Sequence, residues 1–241
     1  RGVLAAADIP GRRNHGLLIH DWPALVGVGE KVRTVGDAVA LVAADTRALA
    51  SQALDHIQAE YEPLPAVTDP VQAADSDAAP VHESGNLLKH IKVRKGDSAQ
   101  GLAEADLVLE HTYCTPTTEH AFLEPECSIA RPLEDGRLEV YVGSQIPYAD
   151  REQIAACLGE PEERVRVVGT LIGGGFGGKE DITGQIHAAL LARATGRPVK
   201  VLFDRHESLL VHPKRHATQI RVRLGARKDG GLVAAEPALY G

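Results

Sequence analysis

The stretch Thr170–Glu180, "TLIGGGFGGKE", carries five glycines in the six positions from Gly173 to Gly178. It follows a valine-rich run, "ERVRVVG", and precedes "DITGQIHAALLARATG", whose apolar residues recur at helical spacing. A strand, a glycine turn and a helix are therefore expected in that order. Glycine permits positive φ and lets backbone approach a neighbour closely, at an entropic cost. One glycine suffices for a tight turn. Five imply that something bulky lies against this one.

Two ligand classes can be weighed on the residues themselves. Gly173, Gly175 and Gly178 satisfy a dinucleotide fingerprint, and the next strand, "RPVKVLFD", ends in Asp204. A dinucleotide domain opens on that unit, however, whereas here two hairpins precede it. Gly173, Gly178 and Lys179 match a phosphate-binding P-loop, but Glu180 stands where a magnesium-binding serine or threonine is needed. A carboxylate there would crowd phosphate oxygens.

Composition narrows the field. At 241 residues the chain can bury a core in one or two domains. A net charge of −7 argues against a nucleic-acid grip, which needs a basic face. No apolar run approaches a membrane span. Cys114, Cys127 and Cys157 are scattered, with no CxxC, as expected of free thiols in a reducing, cytoplasmic compartment. The chain has no methionine and opens on Arg1 in an apolar segment, so it is expected to be a piece of something longer.

The fold expected is α+β. "KVRTVGDAVALVAAD" predicts two short strands about Gly36-Asp37. "TRALASQALDHIQ" predicts a helix with Thr46 as N-cap. "AEYEPLPAVTD" predicts an edge strand, because Pro63 and Pro65 cannot donate to a ladder. A surface linker covers residues 76–105. From Asp106 onward, "ADLVLEHTYCT" is a strand and "CSIARPLEDGRLEVYVGSQ" a hairpin turning at Glu134–Gly136. "YADREQIAACLG" is a helix stopped by Gly159, and a second hairpin turns at Lys228–Gly231.

Read together, these segments resemble the large subunit of the molybdenum hydroxylases, the xanthine dehydrogenase and aldehyde oxidase family. "TLIGGGFGGKE" is similar to its cofactor loop and "TEHAFLEPECSIA" to a segment near its metal. "KVRTVGDAVALVAADT" and "AEYEPLPAV" resemble its small leading domain. The resemblance implies a truncated hammerhead-like domain over residues 1–75 and the first part of a molybdopterin-binding domain over 106–241. It implies a molybdenum pterin, in a dinucleotide form, against Gly173, Gly174, Gly175, Phe176, Gly177, Gly178 and Gln145. It gives Phe176 a place facing the metal site and Glu180 a role in orienting substrate. Thr118 stands where many relatives have a glutamine that reaches the metal, and "TPTTEHAFLEPE" is closer to a selenium-dependent purine-oxidising branch.

The activity implied is hydroxylation of a purine or similar heterocycle with water-derived oxygen. Electrons would pass to iron–sulfur clusters and FAD on partner subunits or domains of an oligomer. An aldehyde or nicotinate substrate is the alternative within the family, and a silent binding or assembly module the alternative outside catalysis. The catalytic base would lie beyond residue 241, leaving the chain alone inactive. No metal ligands are assigned. Glu119 and His120 are expected as a buried hydrogen-bonded pair, Lys179 as solvated, and His206, His212 and His216 as surface or helix-capping residues.

Overall fold

The computed structural model describes residues 2–182 and 184–241. In chain order the strands and helices are β1 (Gly2–Ala5), β2 (Asn14–His15), β3 (Trp22–Pro23), β4 (Ala40–Ala43), α1 (Arg47–Leu54), α2 (Pro70–Ala73) and α3 (Ser98–Ala103). Then come β5 (Leu107–Thr115), β6 (Cys127–Pro132), β7 (Leu138–Val142), α4 (Pro147–Leu158), β8 (Val165–Gly169), α5 (Gln185–Thr195), β9 (Val199–Leu202), α6 (Arg205–Val211), β10 (Thr218–Ala226) and β11 (Leu232–Tyr240). This mixture of helices with largely antiparallel strands is the α+β class expected. Two compact units result, one of Arg1–Glu60 with Glu119–Pro213 and one of Tyr61–Thr118 with Lys214–Gly241.

The first unit is built on a four-stranded sheet of order β8-β7-β6-β9. The β6–β7 hairpin turns where expected. Gly136 takes φ 82°, and Asp135 Oδ1 accepts from Arg137 N at 3.0 Å. From β7 the chain crosses through α4 to β8, which pairs parallel to β7. Pro147 occupies the first turn of α4, where its missing N–H costs nothing, and Gly159 ends the helix at φ 65°. Leu138, Val140, Ile154, Ile186 and Leu190 close the core between this sheet and helices α4 and α5. Cys157 joins them, and burial pushes its thiol up to about 12, so it behaves as an inert apolar side chain.

The second unit holds a three-stranded antiparallel sheet, β11-β10-β5. Its hairpin turns at the expected Lys228–Gly231 segment, with Gly230 at φ 89°. Helix α3 lies within the stretch expected to be linker. Asp97 caps it through Gln100 N, and its Leu102 is buried.

Three expectations need correction. Residues 31–39 form no strand, because the Asp37 carboxylate gathers Arg33 N, Thr34 N, Thr34 Oγ1 and Trp22 Nε1. That side-chain knot competes with a ladder for the same backbone. Residues 58–69 pair with no strand either, Pro63 and Pro65 having no N–H to offer. Helix α5 starts at Gln185 rather than near Asp181, and Thr183 lies outside the described residues. The Thr46 cap holds, its hydroxyl accepting from Leu49 N at 3.2 Å.

Asp150, in the first turn of α4, is fully buried. Burial pushes its carboxyl up to about 6, against weaker opposition from Ser144 and Gln185. A raised folded value means the stabilising form is the protonated one. Its contribution is complete below the usual carboxylate range and is lost as pH rises through about 6. Asp150→Asn is therefore expected to stabilise the fold at pH 8 by up to about 2–3 kcal/mol, with little gain at pH 4. Urea unfolding at the two pH values measures this, and equal gains would contradict it.

Candidate cofactor-binding site

Parallel strands end at the same edge. The C-terminal ends of β7 and β8 thus release Gly143–Ile146 and Thr170–Glu180 side by side. Strand β6 runs antiparallel to β7, so the segment entering β6, with Glu124, arrives at that edge too. In sheets with parallel strands this edge is where ligands bind.

Glu124 and Gln145 hold the glycine loop from within. Gly173 N donates to Glu124 Oε2 at 2.7 Å, and Lys179 Nζ donates to the same oxygen at 2.8 Å. Glu124 N donates back to Gly173 O at 3.1 Å. One carboxylate therefore ties the start of the loop to its end. Gln145 braces the middle, its Oε1 accepting from Gly177 N at 3.1 Å and Lys179 N at 3.4 Å, while its own N–H donates to Lys179 O. Its Nε2 donates to Glu180 Oε1 at 3.3 Å. Gln145, which the family resemblance sets beside the cofactor, is thus also the brace of the loop.

Lys179 corrects its expectation. Its side chain is 3% exposed, not solvated, and its ammonium lies 4.7 Å from the centre of the Phe122 ring. Burial pushes the Glu124 carboxyl up. The hydrogen bonds from Lys179 and Gly173, with the Lys179 charge, outweigh that and hold it below its usual range.

The glycines have reasons of their own. A Cβ at Gly173 would stand 2.6 Å from Glu124 Cβ, at Gly175 2.3 Å from Gln145 Oε1, and at Gly178 2.8 Å from Phe122 Cε1. Gly174 and Gly177 take φ 95° and 90°. Internal packing and handedness therefore account for all five, and their number alone does not require a ligand.

Part of the loop's backbone is left unpaired. The N–H groups of Gly174, Gly175 and Phe176 have no hydrogen-bond partner among the described residues. Phe176 is 75% exposed. It also holds φ 54°, a strained conformation for an aromatic residue, costing about 1–3 kcal/mol. Three adjacent donors beside a strained, exposed ring form a cradle that an anionic group fits.

Of the residues expected at the site, the structure brings together Gly173–Gly178, Gln145 and Glu180. Thr118 belongs to the other unit, where its hydroxyl donates to Pro116 O and its backbone bridges Arg215. Sequence reading gave Glu124 and Phe122 no place in the loop and set Lys179 in solvent. Glu124 and Lys179 are 55 residues apart, and no local pattern links them. His212 is buried rather than on the surface, although it does cap α6.

Comparison with known proteins agrees with this geometry. Residues 81–241 match the molybdopterin cofactor-binding domain family. Residues 1–65 match the a/b hammerhead domain of aldehyde oxidase and xanthine dehydrogenase. A probable xanthine dehydrogenase component from Bacillus subtilis (strain 168) is 40% identical over 97% of this chain and 31% of its own length. The nicotinate dehydrogenase large molybdopterin subunit of Eubacterium barkeri is 39% identical over 100% of this chain and 57% of its own. The aldehyde oxidoreductase structure from Desulfovibrio gigas superposes with a TM-score of 0.91 at 28% identity, over 99% of this chain and 27% of that one. The chain thus spans between about a quarter and under two thirds of these relatives. The chain belongs to the molybdenum hydroxylase family of xanthine dehydrogenases and aldehyde oxidases, within its molybdopterin-binding subunit.

Proposed function

We propose that this chain cradles the pterin cofactor, in a dinucleotide form, of an enzyme that hydroxylates a purine or similar nitrogen heterocycle with water-derived oxygen. The observation that carries the reading is the run of unpartnered N–H groups at Gly174, Gly175 and Phe176. Because Glu124 neutralises Lys179, the donors for an anionic group would be backbone amides in a loop already braced. When bound, the molybdenum pterin supplies a two-electron oxidation and the place of oxygen transfer. The protein's part is to position and to shield. Phe176, fixed outward, would cover the reacting face and exclude water. Glu180 is exposed, and its carboxylate would accept hydrogen bonds from ring N–H groups of a heterocycle.

Two relatives are named for xanthine and nicotinate, both nitrogen heterocycles, which supports that substrate class. The likeness to an aldehyde oxidoreductase supports an aldehyde as the second reading. Electrons would leave through iron–sulfur clusters and FAD on partner subunits or domains of a cytoplasmic oligomer. The base that activates water would come from outside residues 1–241.

Glu180→Gln in the complete enzyme tests the orienting role. It is expected to lower kcat/KM for a purine about 10–100-fold more than for an aldehyde, the worth of one charge-assisted hydrogen bond. Equal losses on both substrates would remove the heterocycle reading.

A further inference from the structure

Behind the glycine loop, three ligand-type side chains converge. One ligand atom from each of Glu119, His120 and His212 lies within 4.8 Å of the other two. His212 Nε2 is 2.9 Å from Glu119 Oε1 and 3.3 Å from His120 Nδ1. The tautomer of His212 follows from its other nitrogen. Nδ1 lies 2.7 Å from the Ser208 carbonyl, which can only accept, so Nδ1 carries the proton. In the neutral ring Nε2 then presents a lone pair, and a carboxylate oxygen faces it. Two acceptors that close are held together by a shared proton or by a metal cation.

The surroundings favour a divalent one. Neighbouring ligand atoms around zinc, at bond lengths of about 2.1 Å, stand roughly 3.0–3.4 Å apart, close to the two short separations of 2.9 and 3.3 Å. An imidazole that donates its far N–H to a backbone carbonyl is already oriented as metal-binding histidines are. The Glu126 side chain is nine-tenths buried, and neither of its oxygens finds a hydrogen-bond partner among the described residues. Oε1 of Glu126 lies 3.5 Å from the His212 ring. Asp181 is within electrostatic reach of both imidazoles. Three carboxylates thus gather about two histidines, an excess of negative charge that a dication offsets. Glu119 keeps 20% of its side chain exposed, which leaves a way in.

We infer that Glu119, His120 and His212 form a binding site for a divalent first-row cation, zinc in particular, distinct from the pterin cradle. His120 couples the site to the loop. A Cβ on Gly178 would meet its ring at 3.0 Å, so an ion that fixes His120 stiffens the floor of the cradle.

The test uses the complete enzyme, stripped with a chelator and reloaded with zinc alone. About one zinc per chain is expected to survive gel filtration, and cobalt(II) in its place is expected to give the visible d–d bands of a nitrogen- and oxygen-ligated ion. His120→Gln and Glu119→Gln are each expected to weaken zinc binding at least about tenfold. Zinc held equally well by wild type and both variants would place it elsewhere and overturn the inference. So would the absence of zinc and of cobalt bands in the wild type, which needs no variant to fold. Because the readouts are zinc content and cobalt spectra, the result stands whether or not molybdenum is loaded.

Discussion

Glu124→Ala is expected to destabilise the chain by about 2–3 kcal/mol, among the largest losses available to one surface-edge substitution. The reason is Lys179, whose ammonium is buried and whose hydrogen-bonded counter-charge is Glu124. Removing one partner of a buried pair strands the other charge and costs about 3–5 kcal/mol. Glu124 is itself 40% exposed, so solvent softens the loss toward the lower figure. Lys179→Met should cost less, because the carboxylate left behind reaches water. The double variant should therefore be more stable than Glu124→Ala alone. Urea unfolding of the three variants decides this, and a Glu124→Ala loss below about 0.5 kcal/mol would show that Lys179 finds another partner. The depressed Glu124 carboxyl adds a pH signature. Its stabilisation is present above the usual carboxylate range and is lost as pH falls through the folded value, so the loop loosens in acid.

Gly175→Val is expected to strip molybdenum from the complete enzyme, to below about a tenth of wild-type content. The new Cβ would fall 2.3 Å from Gln145 Oε1. Gln145 would have to leave Gly177 N and Lys179 N, and the brace of the loop would be lost. A β-branched side chain has few rotamers with which to yield, and overpacking of this kind costs about 1–3 kcal/mol. The damage would be to the shape of the cradle rather than to the space in front of it. Metal analysis with a circular dichroism check of folding is the measurement. Normal molybdenum in a folded variant would mean that the cofactor does not rest on these amides.

Much of this protein is local and was legible as such. The hairpins around Gly136 and Gly230, the α4 stop at Gly159 and the Thr46 cap each depend on a few adjacent residues with one cheap conformation. The order of those elements, with "GGGFGGKE" among them, carried the family. Failures came where a distant group outbid the local pattern. Asp37 drew in the backbone of Arg33 and Thr34 and cancelled the first of the two strands that valine spacing predicted, while the second forms as β4.

The site divides along the same line. Sequence alone determined that a glycine-built turn follows a strand and precedes a helix, with Phe176 as its one large side chain. Only the tertiary structure decided why Gly173, Gly175 and Gly178 are there, since the atoms a Cβ would strike belong to Glu124, Gln145 and Phe122, far off in the chain. It alone buried Lys179 against Glu124 and turned His212 inward to meet Glu119 and His120. Sequence spacing encodes which face of an element is apolar. It does not encode which polar groups meet once three strands end at one edge, and those meetings set the charge of the site.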